Sequence, residues 1–273
     1  MTGTPRFSEA EVVAALGVPS ASLLGVGTFG DTWRVGDTAV KIICVDGYPA
    51  DRVTREIDGL RRIDNQHVVK LLATGSVDLG GKPRTFLSFE HVDGGDLQSR
   101  YDIGLQPSPE ECRGLLVGML NGVEAMHAAE GTVHRDIKPA NVALRGGAWE
   151  APVILDLGLA RSVIEPTITV YPSAVGTWYY MAPEQIRGER ARKAADLFAV
   201  GVTVRALYAG QHPFHDMTGT ETPDQLHAAI QGGPRALPDG LDEATARVLD
   251  LLVSQAQHDR GSARSNLKRL ERS

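Results

Sequence analysis

A chain of 273 residues, 42% hydrophobic and 23% charged, has ordinary globular composition and is long enough for one large domain or two packed lobes. The formal net charge of −6 argues against a protein that lives on nucleic acid or on an acidic membrane surface, because either favours a basic face. Two cysteines in unlike contexts, Cys44 in an apolar strand-like run and Cys112 in a helical one, argue against a disulfide framework or a cysteine-held metal and fit a reducing cytoplasm.

The opening stretch, MTGTPRFSEAEVV, lacks the basic start and apolar core of a secretion signal, and no run approaches the roughly 20 apolar residues of a membrane span. A cytoplasmic protein with no membrane partner is the expectation. Ser8 followed three residues later by Glu11 is a capping-box pattern ahead of EAEVVAAL, and Gly17 and Pro19 end that run. It reads as a short helix acting as an N-terminal brace. Next come runs rich in β-formers, SLLGVG, DTWRV and TAVKIICV, separated by Gly30 and by a Gly36-Asp37 turn, which predict an antiparallel meander. Val53, Ile57 and Leu60 recur at helical spacing and predict a helix over residues 51–64. Two further strands follow near VVKLLATGSV and RTFLSFEHV, with the DLGGKP turn between them.

After DGGDL the pattern turns helical, with Ser108 as N-cap, Pro109 at the first position and Gly131 near the stop of a long helix. The change from a β-rich to an α-rich lobe therefore falls near residues 93–96. AWEAPVILDLGLA interrupts the helices with a strand-like run. The stretch from there to Met181 has too little periodicity for a regular element, so it is either disordered or functional. KAADLFAVGVTVRALYAG, PDQLHAAIQ, DEATARVLDLLVSQA and ARSNLKRLE predict the remaining helices. No internal repeat, low-complexity tract or linker is present.

Two motifs carry chemistry. The pattern Gly25-x-Gly27-x-x-Gly30 means little alone, since a chain with 30 glycines yields it by chance about 0.4 times. VHRDIKPANVAL is different: His, Arg, Asp, Lys and Asn at five set positions have a chance expectation on the order of 10⁻⁴. With this stretch the sequence resembles the eukaryotic-like (Hanks-type) serine/threonine protein kinases, here of a bacterial kind. The resemblance runs from about Ser22 to Arg260, with the motifs in family order.

The resemblance implies an α+β, bilobal protein-kinase-like fold. A small five-stranded antiparallel β lobe with one main helix would span residues 1–93, and a larger, mainly helical lobe residues 94–273. The activation segment would be residues 156–184, all within a single kinase domain. It implies ATP with Mg²⁺ or Mn²⁺ as cofactors, and Ser/Thr hydroxyls of proteins as acceptors.

Residue by residue, Asp136 matches the group that orients the hydroxyl and accepts its proton. Lys138 matches the cation that stabilises the transferring phosphoryl group. Asn141 and Asp156 match the metal ligands, as hard oxygen donors should. Lys41 matches the lysine on the nucleotide phosphates and Glu56 its ion-pair partner. Gly25, Gly27 and Gly30 lie in a strand–turn–strand ahead of Lys41, the kinase context rather than the strand-then-helix of a dinucleotide site, with Phe29 at the loop tip. By resemblance Val26, Thr32, Ala39 and Ala143 would line the adenine slot. Thr32 and Ala143 depart from the usual Val and Leu. By the same resemblance Phe89 would be the gatekeeper, the backbones of Glu90 and Val92 would meet adenine, and Asp96 would meet the ribose.

The resemblance makes Thr177, Glu184, Asp196 and Arg260 structural. Thr177 bonds within the catalytic loop, Glu184 pairs with Arg260, and Asp196 holds the loop backbone. His134 is packed beside Leu157 and Leu60 rather than catalytic, and Leu157 replaces the common Phe. Arg135 implies control by activation-loop phosphorylation, with Thr167, Thr169 or Ser173 as the site. A transient homodimer for phosphorylation in trans and a partner supplying substrate specificity complete the expectations. Two rivals are a nucleotide-binding pseudokinase scaffold, which predicts loss of Lys41, Asp136, Asn141 or Asp156, and a small-molecule phosphotransferase, which lacks a segment like GTWYYMAPE.

Overall fold

The structure, a computed structural model, describes residues 4–27, 30–44, 57–129, 132–156 and 178–272. The chain divides into two compact units, one of residues 1–62 with 69–91 and one of residues 63–68 with 92–273.

The first unit is a five-stranded antiparallel sheet. Its strands are β1 (Ser22–Val26), β2 (Gly30–Val35), β3 (Thr38–Ile43), β4 (Leu71–Leu79) and β5 (Lys82–Glu90), in spatial order β1-β2-β3-β5-β4. The first three strands form the meander that the turn residues predict. β5 rather than β4 lies against β3, because the β4–β5 hairpin follows a long connection and pairs through its second strand. Alternation then gives each face its own character. Trp33, Val40 and Ile42 face one side, where they form a core with Ala21, Leu79 and Val12. Val12 belongs to helix α1 (Glu9–Leu16), whose capping box is formed: the Ser8 N–H donates to Glu11 Oε2 at 2.8 Å, and Ser8 Oγ accepts the Glu11 N–H. The Ser8 hydroxyl, which donates to Glu11 Oε2 at 2.7 Å, and then the Ser8 N–H hold the Glu11 carboxyl below its ordinary range. Thr32, Ala39 and Lys41 fall on the opposite face, where register places Thr32 and Leu87 beside Lys41 and Phe89 beside Ala39.

In the second unit a short helix that the sequence patterning missed, α2 (Leu97–Asp102), precedes the long helix α3 (Pro109–Ala128). Ser108 and Glu111 close a capping box at the start of α3, with Pro109 in its first turn. β6 (Val142–Leu144) pairs with β7 (Pro152–Ile154). The helices α4 (Pro183–Ile186), α5 (Lys193–Ala209), α6 (Pro223–Gln231), α7 (Glu243–Leu252) and α8 (Ala263–Leu270) follow. Helix α5 is buried on nearly every side from Ala195 to Tyr208, so it is a core helix and not an amphipathic one. α3 and α7 pack against it.

Residues 63–68 belong to this second unit although they lie between elements of the first. Val68 bridges Ile154, the Ile154 N–H donates to His67 C=O at 2.9 Å, and His67 Nδ1 meets the Pro152 carbonyl at 2.9 Å. Gly118 and Gly122 of α3 give His67 its room, since a Cβ at Gly122 would lie 2.8 Å from the His67 carbonyl oxygen.

A histidine pair marks the core near α4. His212 and His215 stack with centroids 5.0 Å apart, beside Tyr179 and Tyr180. His212 Nδ1 accepts the N–H groups of Phe214 and His215, so its Nε2 carries the proton and donates to the Tyr179 carbonyl at 3.1 Å. Burial, then the neighbouring His215, depresses His212 from 6.5 to about 3. Burial likewise takes His215 to about 4, although Glu221 opposes the shift and Arg235 adds to it. Both rings are therefore neutral in the fold and charge on unfolding. Stability held in full above about pH 6.5 is lost as the pH falls towards 4 and 3, because the unfolded chain then binds more protons. Urea midpoints should fall steadily below about pH 6.5, and His212→Asn, whose side-chain oxygen still accepts from the two amides, should flatten that slope; equal slopes in both proteins would refute the assignment.

Candidate active site

The charged stretch read from the sequence forms one compact loop in the second unit. The His134 N–H donates to Asp196 Oδ2 at 2.9 Å and the Arg135 N–H to Asp196 Oδ1 at 2.8 Å. His127 Nε2 adds a third contact to the same fully buried carboxylate, at 2.9 Å. Asp196 lies in the first turn of α5, so the core helix fixes the loop. His134 is 1% exposed. Its Nδ1 accepts the Asp136 N–H at 3.2 Å and its Nε2 donates to Leu155 C=O at 2.8 Å. Both ring nitrogens are committed to the backbone, so His134 is a strut. Arg135, with φ of 67°, sits in left-handed backbone that side-chain-bearing residues rarely adopt, and the two Asp196 bonds around it hold that conformation in place.

Substituting Asp196→Asn should expose this dependence. An amide presents one acceptor where the carboxylate presented two, so one loop N–H would face an NH₂ group, at a cost of about 1–3 kcal/mol. Hydrogen exchange at His134 and Arg135 should speed up, and unchanged protection would contradict the account.

Asp136 and Lys138 are brought together, with Lys138 Nζ 3.2 Å from Asp136 Oδ2. Asn141 Nδ2 donates to the Asp136 carbonyl at 2.7 Å and lies 3.2 Å from Asp136 Oδ2, which turns its amide oxygen away from the loop. The Leu155 N–H donates to Asn141 C=O at 2.8 Å, bringing the strand that ends before Asp156 alongside the loop. Asp156 also has a left-handed backbone, with φ of 52°. Asn141 and Asp156 are hard oxygen donors of the type a Mg²⁺ ion takes. Among the described residues no three His, Cys, Asp or Glu side chains gather as a metal cluster. An ion here would therefore depend on this Asn–Asp set together with phosphate oxygens. Ala143 is buried in β6 and bridges Asp96 across a short antiparallel contact. Asp96 has a task that sequence reasoning missed: Oδ1 accepts the Ser99 N–H at 2.7 Å and so caps α2. Val92 lies four residues before it, where the second unit resumes.

In the first unit Lys41 is buried, with 7% exposure, on the Thr32 and Ala39 face. Gly30 is demanded by the fold itself, for a Cβ there would lie 1.9 Å from the Ile42 carbonyl oxygen. Gly25 differs, because a Cβ would meet nothing within 4 Å. Val26 stands opposite Asp31 and leads into Gly27, whose N–H donates to the Gly30 carbonyl. Glu90 ends β5 and binds Lys70 twice, N–H to carbonyl at 3.0 Å and Oε1 to N–H at 3.1 Å. Phe89 beside it is buried. Phe29, Glu56, Leu157, Thr167, Thr169, Ser173 and Thr177 lie outside the described residues.

Glu184 and Arg260 meet as a fully buried bidentate pair, at 2.7 and 3.0 Å. All five Arg260 N–H groups find acceptors, the others being the carbonyls of Ser254, Ala194 and Gln255. The guanidinium also stacks 4.9 Å from the Phe198 ring centroid. His127, whose role no sequence spacing announced, and Lys193, which donates to its carbonyl, join the support around Asp196.

A loop built this way, in a chain with this sheet and this helical core, is matched by the protein kinase domain family over residues 20–269, and the chain belongs to that family. Its relatives include the probable serine/threonine-protein kinase PknB of Corynebacterium glutamicum, 30% identical over 207 residues, which are 71% of this chain and 31% of that protein. PknH of Mycobacterium bovis, a serine/threonine-protein kinase, is 27% identical over 256 residues, 90% of this chain and 42% of that one. A probable serine/threonine-protein kinase of Streptomyces coelicolor is 31% identical over 248 residues, covering 86% and 36%. The chain thus spans less than half the length of these bacterial relatives. A crystal structure of Rad53 residues 1–466 in complex with AMP-PNP superposes with a TM-score of 0.70 at 25% identity, covering 90% of this chain and 62% of that one. The fold is the α+β protein kinase fold. Among the described residues no helix is long and apolar enough to cross a membrane.

Proposed function

We propose that the chain is an ATP-dependent serine/threonine protein kinase. The observation that carries this reading is the Asp136 carboxylate, held beside Lys138 Nζ and Asn141 on a loop that a buried aspartate fixes from behind. A protein serine or threonine hydroxyl is oriented by Asp136 and attacks the γ-phosphorus. The bond to the bridging oxygen of ADP breaks as the new O–P bond forms, and the hydroxyl proton passes to the Asp136 carboxylate. Lys138 stabilises charge on the transferred oxygens. Asn141 and Asp156 hold Mg²⁺ or Mn²⁺, which neutralises phosphate charge when bound.

In the same reading Lys41, paired with Glu56, holds the nucleotide phosphates, and the backbone at Gly25, Gly27 and Gly30 approaches them. Val26, Thr32, Ala39 and Ala143 contact adenine, the backbones of Glu90 and Val92 read its edge, and Asp96 meets the ribose. Residues 1–93 and 94–273 act as the lobes of one domain. Activation follows phosphorylation at Thr167, Thr169 or Ser173, in trans within a transient homodimer, in the cytoplasm. The pseudokinase alternative is disfavoured because Lys41, Asp136, Asn141 and Asp156 are all present. Label transfer from γ-labelled ATP with Mg²⁺ or Mn²⁺ onto the chain and a generic protein substrate, followed by mass mapping, tests the reading. Label on serine or threonine supports it, and metal-dependent ATP binding without transfer favours the scaffold.

A further inference from the structure

The phosphoryl-transfer reading makes no use of the segment ahead of β1, yet that segment supplies one half of a charge pair in the first unit. Asp31, the residue after Gly30, is fully buried on the face of the sheet that α1 covers. A buried carboxylate is costly without partners. Asp31 finds them 25 residues upstream: it accepts the Arg6 backbone N–H at 2.7 Å and is ion-paired with the Arg6 guanidinium. The other terminal nitrogen, Arg6 Nη2, donates to the Gly27 carbonyl at 2.9 Å. One planar fork therefore ties the end of β1 to the start of β2 at the glycine turn, a geometry that suits arginine and not lysine. The fork approaches from the face opposite Thr32 and Lys41.

Arg6 is itself anchored. Phe7 packs into the Trp33 and Ile42 core, under the Arg84 guanidinium at 5.5 Å, and the Ser8 capping box fixes α1 directly behind it. The family match begins at residue 20, so Arg6 lies outside the matched residues while its partners Gly27 and Asp31 lie within them.

We propose that Arg6 is a positioning residue for the glycine-rich turn, so that the N-terminal segment sets how tightly the turn grips a nucleoside triphosphate. The ligand in this statement rests on the kinase reading, whereas the clamp rests on geometry alone. Two measurements on the full chain separate them: hydrogen exchange without nucleotide, and titration with a fluorescent ATP analogue and Mg²⁺. In Arg6→Ala the amides of Gly27 and Gly30 exchange faster, and the Kd of the analogue rises about tenfold, the equivalent of one charge-assisted hydrogen bond. KM for ATP rises in step while kcat changes less. Arg6→Lys, able to pair with Asp31 but not to fork to Gly27, falls between. Arg34→Ala, an exposed arginine of β2, leaves both readouts unchanged.

Should Arg6→Ala unfold because Asp31 is stranded, Arg6→Ala/Asp31→Asn removes the buried charge and carries the same expectations. Unaltered exchange at Gly27 and Gly30 overturns the clamp whatever the activity. Faster exchange with an unaltered Kd overturns its link to nucleotide. A wild-type chain that binds no analogue overturns the kinase reading and the nucleotide half of the proposal, while exchange still decides the clamp.

Discussion

Replacing Asp136 by asparagine is expected to lower phosphoryl transfer about a thousandfold, within the range that a positioned general base contributes. The substitution conserves shape. An asparagine oxygen at this position can still accept from Lys138 Nζ and from Asn141 Nδ2, which lie 3.2 Å from the present carboxylate oxygen. The loop is also pinned independently through Asp196, so its backbone has no reason to move. What disappears is the negative charge that takes the hydroxyl proton. The thermal midpoint and the affinity for an ATP analogue should therefore stay near those of the wild type. A variant retaining a tenth or more of the transfer rate would remove Asp136 from its role.

The second large effect is expected from Arg260→Ala, and it is one of stability. Truncation strands the fully buried Glu184 carboxylate and leaves three backbone carbonyls without their donor, so the cost is about 3–5 kcal/mol. For a chain of this size that corresponds to a thermal midpoint lowered by about 10 °C. Arg260→Lys should recover little, since an ammonium cannot reach five acceptors in a plane or stack on Phe198. Pairing Arg260→Met with Glu184→Leu should be milder than Arg260→Ala alone, because no charge is left behind. Thermal unfolding of the four proteins decides the matter, and a shift of less than about 2 °C in Arg260→Ala would show the pair to be dispensable.

The strands, the long helices and the loop from His134 to Asn141 were legible because each rests on local spacing. Alternation sorts Trp33, Val40 and Ile42 from Thr32, Ala39 and Lys41, and five polar residues at set positions announce the loop. Beyond the Glu184–Arg260 pair and the Asp196 contacts that the resemblance supplied, what stayed illegible was choice of partner. Nothing near Asp96 says that its carboxylate caps α2, a helix of six residues too short to show a period. Nothing near Asp31 says that its counter-ion is Arg6, and His127 gives no sign of the Asp196 carboxylate, 69 residues further along. Helix α5 also blurs its own signal, because a helix buried on all sides has no polar stripe from which to read its orientation. Gly30 illustrates a different limit. Its motif points to phosphate, yet β3 already forbids a side chain there.

The return of residues 63–68 to the second unit sets an order in time. His67 receives its distant partner Pro152 only after 85 more residues of chain exist, and Ile154 two residues later. At ordinary ribosomal speed that delay is roughly 4–17 s, far longer than a hairpin such as β4–β5 needs to close. During synthesis residues 63–68, mostly polar but ending in the buried Val68, therefore interrupt the first unit while the β7 backbone that Val68 bridges does not yet exist. The emerging chain keeps one short segment of the second unit without its backbone partners until β7 leaves the ribosome.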